Sequence, residues 1–169
     1  MRNCLSEGIK HLNKERDGRT TITNLDGVPC RYLNRAAENK WNGFLYFALH
    51  PDFKARQLTA ARVEIEYFVR NPTFFRLQYD GMQGETPKPY KSTLAENEAT
   101  VKFGTAVTFS RARQANAWQT ATFRLIDGVF LNSQNGGADF RLEVTPADIY
   151  VRRVTVTRDD AEPLRPRVP

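Results

Sequence analysis

Apolar and polar side chains alternate along several stretches of this chain. The segment 63–69 has Val, Ile, Tyr and Val at every second position, and segments 121–125 and 140–144 repeat that pattern. Successive side chains of a β-strand point to opposite faces, so this alternation predicts half-buried strands. The segment 43–49 is apolar at both odd and even positions, which predicts a central strand covered on both sides.

Glycine, proline, asparagine and aspartate separate these segments at short intervals. The pattern predicts about nine short strands with turns between them. Many short strands at this spacing are typical of an all-β domain. We therefore expect an antiparallel two-sheet β-sandwich of the jelly-roll type, with a closed barrel as the alternative.

Several connections can be predicted from local chemistry. Asn71-Pro72 predicts a hairpin-type turn between its flanking strands, and Pro29 predicts an edge strand because proline has no N–H to donate. The polar stretch 81–99, with its two prolines, is predicted to be a long surface loop. A change of parity in the last strand predicts a β-bulge near Arg152.

The length of 169 residues predicts one domain, assigned to 1–160, and a disordered Pro-rich tail over 161–169. A hydrophobic content of 40%, with 11 Phe, argues against disorder elsewhere. Cys4 and Cys30 would form one disulfide in an exported protein and would be buried thiols otherwise, and both alternatives stay open. The first residues lack the apolar segment of a signal peptide, and no run is long enough to span a membrane.

The charge of this protein is positive but diffuse. The formal net charge is +6, yet acidic residues accompany the basic ones, as in the segment 62–66. This mixture indicates a solvated, mildly basic surface, with a dedicated anion site as the weaker alternative. We expect neither a nucleic acid nor a membrane as the partner.

Motifs of the common catalytic classes are absent from the sequence, including G-x-S-x-G, the P-loop, G-x-G-x-x-G and H-E-x-x-H. Glu64 and Glu66 share one strand face and could in principle make an acid/base pair. The simpler interpretation is an exposed face whose carboxylates pair with arginines across the predicted hairpin. An enzyme that uses these carboxylates, Tyr79 or Asp80, as a glycoside hydrolase or polysaccharide lyase, is the alternative.

A polar loop at 132–137, Asn-Ser-Gln-Asn-Gly-Gly, lies between two of the predicted strands and is followed by Asp139 and Arg141. Dense amide groups beside an acid and a base suit hydroxyl-rich ligands, and they equally suit loop construction. Asp139 and Arg141 are two residues apart, so we expect an ion pair between them that holds the loop, with Asn135 in a left-handed turn. Direct contact with a ligand is the alternative.

Six blocks carry a resemblance to a known family: 45–47, 63–68, 77–80, 90–93, 118–123 and 134–141. In this order and spacing they resemble a galactose-binding-like β-sandwich of the carbohydrate-binding-module type, a domain found appended to bacterial glycoside hydrolases. The last block, Gln-Asn-Gly-Gly-Ala-Asp-Phe-Arg, is the most specific.

The resemblance implies a non-catalytic domain that binds a polysaccharide or oligosaccharide by ring stacking and polar contacts, in a secreted or periplasmic protein. It also implies a structural calcium near the chain ends, for which Asp159, Asp160, Glu7 and Glu15 offer oxygen ligands. A purely structural or protein-interaction domain is a further alternative. The candidate sugar-binding residues are Trp41 and Tyr90 for stacking, with core capping as their alternative role, and Gln134, Asn135, Asp139 and Arg141 for polar contacts.

Overall fold

The computed structural model describes residues 8–14, 16–34, 42–54, 58–105 and 107–159. Within these ranges the protein consists of β-strands and short 3-10 turns, without an α-helix. The strands are β1 (Ile9–Leu12), β2 (Thr20–Leu25), β3 (Val28–Asn34), β4 (Gly43–Leu49), β5 (Thr59–Phe68), β6 (Phe74–Gln83), β7 (Thr86–Thr93), β8 (Ala99–Phe103), β9 (Val107–Arg111), β10 (Gln119–Gly128), β11 (Phe140–Thr145) and β12 (Asp148–Arg158).

The strands form two antiparallel sheets. The seven-stranded sheet has the order β1-β4-β11-β6-β9-β8, with β7 also paired to β6. The five-stranded sheet has the order β10-β5-β12-β3-β2. The predicted all-β sandwich is therefore confirmed, and the closed barrel is excluded because the strands belong to two separate sheets.

The core lies between the two sheets and is filled by alternate residues of the long strands. The seven-stranded sheet contributes Leu45, Phe47, Phe140 and other residues of the same parity, all at most 5% exposed. The five-stranded sheet contributes its own alternate residues, such as Ile65 at 1%. Each such side chain stabilises the fold by about 1.5–3 kcal/mol. The remaining parity of each strand faces outward, and these outward residues provide the candidate binding surfaces.

The predicted hairpin at Asn71-Pro72 is wrong, because β5 and β6 belong to different sheets. β5 already has β10 and β12 as neighbours on its two sides, which leaves no free edge for β6. The chain crosses instead from one sheet to the other, and Thr73 is fully buried in this crossing.

The predicted long loop at 81–99 is largely a hairpin. β6 continues to Gln83 and returns as β7, which carries both prolines of this segment. Proline is tolerated there because β7 is paired on one side only, so no N–H is required on its free side.

The expectation for Pro29 is also wrong, since β3 lies between β2 and β12. The ladder between β12 and β3 covers only Arg31 to Asn34, so Pro29 lies beyond it and needs no donor there. The bulge predicted near Arg152 is confirmed by a register shift between Val151 and Arg153.

Some expectations fall on residues outside the described ranges. These are the stacking role of Trp41, the pairing partner Cys4 and the tail 161–169, and they stay predictions. Cys30 itself is fully buried. Among the described residues, no helix has the length and apolar character needed to cross a membrane.

Candidate functional site

The outer face of the seven-stranded sheet carries a row of polar side chains across four strands. The register places Tyr46 of β4 opposite Arg141 of β11, Arg141 opposite Gln78 of β6, and Gln78 opposite Ser92 of β7. Directly opposed residues on one face of a sheet lie close enough for their side chains to interact. Four sequence-distant residues therefore meet in one line.

Arg141 is held firmly at the centre of this row. Its guanidinium carbon lies 4.0 Å from the ring centre of Phe44 and 4.1 Å from that of Tyr90, so it is stacked by two aromatic rings. Its Nε donates to Oε1 of Gln78 at 2.7 Å, and Nη1 donates to the Tyr46 hydroxyl at 3.2 Å. These contacts fix the charge and the two rings in one arrangement.

Tyr90 adopts a backbone conformation that is unusual for an aromatic residue. Its φ is 62°, in the left-handed region, where non-glycine residues carry strain of about 1 kcal/mol or more. It lies in a bulge where the β6–β7 register shifts. The surrounding contacts compensate, because the ring covers Arg141 and the hydroxyl accepts the N–H of Asn135 at 2.9 Å.

Tyr46 is buried beneath this cluster, with no exposed surface. Its hydroxyl donates to Oδ2 of Asp17 at 2.9 Å while it accepts from Arg141. Burial raises the pKa of the Tyr46 hydroxyl, so the group stays protonated and keeps both hydrogen bonds at physiological pH.

The same face continues toward β8 and β9 with an ion pair and a second group of rings. Nε of Arg76 lies 2.5 Å from Oε2 of Glu143, and its guanidinium stacks on the ring of Phe109 at 5.0 Å. Phe103 packs edge-to-face against Phe74 and Phe109, with ring centres 5.0 and 5.6 Å away. Phe103 remains 44% exposed.

We call this outer face the platform. Its residues are Phe44, Tyr46, Gln78, Tyr90, Ser92, Arg141, Arg76, Glu143, Phe74, Phe103 and Phe109. It combines the half-buried rings of Phe44 and Tyr90 at one end and the exposed ring of Phe103 at the other with fixed hydrogen-bonding groups between them.

The expected ion pair between Asp139 and Arg141 is not formed. Asp139 is fully buried, accepts the N–H of Leu49 at 2.8 Å and of Asn132 at 3.0 Å, and pairs with Nζ of Lys54 at 3.1 Å. It directly precedes β11 and turns into the protein, whereas Arg141 lies on the outer face. The carboxylate thus anchors the polar loop by itself.

The other loop residues are also placed by structural bonds. Gln134 is only 3% exposed and donates to the carbonyl of Gln78 at 3.1 Å. The left-handed conformation expected for Asn135 is taken by Asn132, Gly136 and Gly137 instead. Asn135 is exposed, and it connects the loop to the platform through its N–H bond to Tyr90.

A second buried carboxylate lies under this loop. Oδ2 of Asp80 accepts the N–H groups of Leu131 and Ser133, both at 3.0 Å, while Oδ1 has no partner among the described residues. Burial raises the pKa of the Asp80 carboxyl, against the lowering effect of the Ser133 bonds. Asp80 and Asp139 therefore both hold the first residues of the loop, 131–133.

The four residues of the enzyme alternative are not brought together. Glu64 and Glu66 lie on the outer face of the five-stranded sheet. Tyr79 is a core residue whose hydroxyl donates to Asp127 at 2.7 Å, and Asp80 is occupied by backbone N–H groups. Glu66 pairs with arginines of β12, so the predicted pairing across a hairpin is wrong as well.

The structural calcium near the chain ends stays a prediction. Of its candidate ligands only Asp159 is described, and it pairs with Nε of Arg124 at 3.1 Å. Glu7, Glu15 and Asp160 lie outside the described ranges. Among the described residues, no group of three or more His, Cys, Asp or Glu side chains is arranged to hold a metal ion.

Of the platform residues, Tyr90 and Arg141 were named from the sequence as candidate sugar contacts, whereas Phe44 and Tyr46 were not. The sequence did carry a signal for Phe44 and Tyr46, because they form the second apolar face of β4, from which a buried central strand was predicted. Among the described residues, that face is covered by Arg141 of the platform and by the turn at Asp17 and Gly18, and not by a further sheet or helix.

No family model and no curated protein matches this chain. Among solved structures, the chain is similar to the CBM22-1–GH10 modules of the Clostridium thermocellum N-terminal endo-1,4-β-D-xylanase 10B, complexed with xylohexaose. The identity is 14% and the TM-score 0.46, over 91% of this chain and 26% of that chain. The two-sheet architecture itself fits the carbohydrate-binding-module type of sandwich that the sequence resembles.

Proposed function

We propose that this protein is a non-catalytic carbohydrate-binding domain that holds a polysaccharide or oligosaccharide on the platform. The observation that carries the proposal is the clamp of Arg141 between Phe44 and Tyr90. It keeps a charged hydrogen-bond donor and two rings in fixed positions on an outer face of the sandwich.

The chemistry of the platform suits sugars. Aromatic rings pack against the apolar C–H faces of pyranoses, while a few fixed polar groups bond the hydroxyls and set orientation. Arg76, which Glu143 holds in place, provides a further donor between the two groups of rings. The strain at Tyr90 supports a functional role, because residues in sparsely populated conformations cluster at binding sites.

The proposal assigns the loop residues a supporting part. Asp139 and Gln134 are too buried to touch a ligand, so they hold the loop. Among the candidates that the structure describes, Tyr90, Asn135 and Arg141 can reach a sugar. We include in the proposal an accessory role within a glycan-degrading protein, a secreted or periplasmic location and a structural calcium.

Affinity gel electrophoresis tests the proposal, with the protein run through gels containing neutral or uronate polysaccharides. We expect retardation by at least one polymer, and a Tyr90→Ala variant should lose it. Ile22→Ala is the matched control, since Ile22 is 63% exposed on β2, away from the platform. Unretarded migration on the whole panel would overturn carbohydrate binding. Equal retardation of Tyr90→Ala and the unmodified protein would overturn the assignment to the platform.

A further inference from the structure

The outer face of the five-stranded sheet carries a second row of aromatic rings. Phe68 of β5 is opposite Tyr150 of β12, and Tyr150 is opposite Tyr32 of β3. Trp118, which directly precedes β10, extends the row next to Phe68. Successive ring centres from Trp118 to Tyr32 are 5.7, 6.0 and 4.3 Å apart. We call these four residues the ring strip.

A polar pocket of about 330 Å³ adjoins the ring strip. It is lined by Val28, Pro29, Glu66, Arg152 and Arg153. Arg152 links the two features, because its guanidinium lies 4.7 Å from the Trp118 ring centre while its Nε donates to Glu66 at 2.5 Å.

The bulge in β12 gives this pocket an excess of positive charge. Arg153 is the register partner of Glu66, and the shifted register brings Arg152 to the same carboxylate. Two guanidinium groups therefore share one carboxylate, and Arg153 is the weaker partner at 3.5 Å, with its side chain 66% exposed. Charge complementarity favours a ligand that brings a carboxylate to Arg153.

Further along the strip, Arg70 adds another donor. Its guanidinium lies 5.7 Å from the ring centre of Tyr150, and its Nε is 3.5 Å from the Tyr150 hydroxyl. The strip thus presents the partly exposed rings of Trp118, Tyr150 and Tyr32, with Phe68 buried between them at 7% exposure, and cationic donors near both ends.

We propose that the ring strip and its pocket form a second binding surface, which takes a glycan bearing uronate groups. Sugars of the chain pack along the strip, a uronate carboxylate binds Arg153, and Glu66 accepts hydrogen bonds from hydroxyls. This surface lies on the sheet opposite the platform, so its occupancy does not depend on glycan binding there.

The pocket chemistry favours a glycan over single-stranded nucleic acid, the other polymer that binds rows of rings. Nucleic acid brings a charge with every phosphate and needs a groove lined by cations. Here the local excess is small, because Glu66 already pairs with Arg152 and Arg153, and Glu66, 22% exposed, can accept hydrogen bonds from sugar hydroxyls.

Two surfaces on opposite sheets would make the domain bivalent. It could then join two glycan chains or hold one polymer with higher avidity than either surface alone.

Tryptophan fluorescence tests the proposal, because the chain has only two Trp residues. In a Trp41→Phe protein, Trp118 in the strip is the single reporter. We expect titration with hexagalacturonate to change its emission saturably, and cellohexaose to bind at least tenfold more weakly. Adding Arg153→Gln should weaken hexagalacturonate binding about tenfold, the loss expected for one charge-assisted hydrogen bond.

Two further variants establish whether the Trp118 signal arises at this surface. Arg62→Gln removes an exposed charge from the same strand as Glu66, away from the pocket, and should leave binding unchanged. Tyr90→Ala should also leave the Trp118 signal unchanged, even if it abolishes binding at the platform. An unchanged Trp118 emission with hexagalacturonate, no effect of Arg153→Gln, or tighter binding of a 12-residue oligothymidylate would each overturn the proposal.

Discussion

The guanidinium carbon of Arg141 lies 4.1 Å from the ring centre of Tyr90, although strand β6 separates their two strands. The ring reaches across β6 because the bulge in β7 turns Tyr90 into a left-handed conformation. One strained residue thus completes the clamp around the charge at the centre of the platform.

Because of the strain at Tyr90, the glycine variant at this position should be more stable than the alanine variant, the reverse of the usual order in a strand. With φ at 62°, Tyr90→Gly should be more stable than Tyr90→Ala by about 1 kcal/mol, since glycine has no Cβ to clash there. Urea denaturation of both variants measures the difference. At Lys88, a β7 position without a positive φ, the alanine variant should be at least as stable as the glycine variant. An identical ranking at the two positions would contradict strain at Tyr90.

Lysine at position 141 should not reproduce the stability or the glycan binding that Arg141 provides. A lysine ammonium cannot stack flat between two rings while donating in two directions, so Arg141→Lys should lower the free energy of unfolding by about 1 kcal/mol. It should also weaken glycan retention on gels. Arg111→Lys is the matched control, because Arg111 is exposed on the same sheet, and it should change neither quantity. Equal behaviour of the two variants would refute the clamp.

Asp139 should be the most sensitive position of the polar loop. Asp139→Ala leaves Lys54 and two backbone N–H groups without their acceptor, so we expect a loss of about 3–5 kcal/mol in the free energy of unfolding. Chemical denaturation measures this loss. Arg124→Gln removes a more exposed ion pair, the one with Asp159, and should cost about 1 kcal/mol or less. A mild effect at Asp139 would show that its bonds do not hold the loop.

His11 should make the protein less stable in acid. Burial, with a smaller effect from Arg31, lowers the pKa of His11 from 6.5 to about 4, and neither ring nitrogen has a partner among the described residues. The folded state therefore favours neutral imidazole. Its contribution is fully present above pH 6.5 and is lost as the pH falls toward 4.

Urea denaturation between about pH 7 and pH 4 checks this expectation. The stability of the unmodified protein should fall relative to His11→Leu as the solution is acidified through that window. His50→Gln is the control, since the His50 side chain is 59% exposed, and it should follow the unmodified protein. Parallel curves for the unmodified protein and His11→Leu would rule out the role of His11.

The sequence predicted strands more reliably than it predicted their partners. The alternation in β5 and β11 identified both strands and their buried parity, because that pattern depends only on local geometry. The hairpin expected at Asn71-Pro72 failed, because a turn signal states that the chain turns and not which sheet it enters.

The candidate site shows the same division. Polar chemistry at 132–141 was visible in the sequence, and so was an unusual ring at Tyr90. The sequence did not show that Asp139 faces inward to Lys54 while Arg141 faces outward to Tyr90. Residues two apart share a face only within a strand, and Asp139 lies just before β11 begins.

The sequence by itself determined that this chain is an all-β domain with a mildly basic surface and no common catalytic motif, since composition and alternation are local properties. Only the tertiary structure decided which rings and charges meet. Arg141 is clamped by Phe44 and Tyr90, and Tyr150 stacks on Tyr32, because long-range register and two bulges align residues from distant strands. Strand pairing sets that register through contacts between distant segments, and no local pattern encodes it.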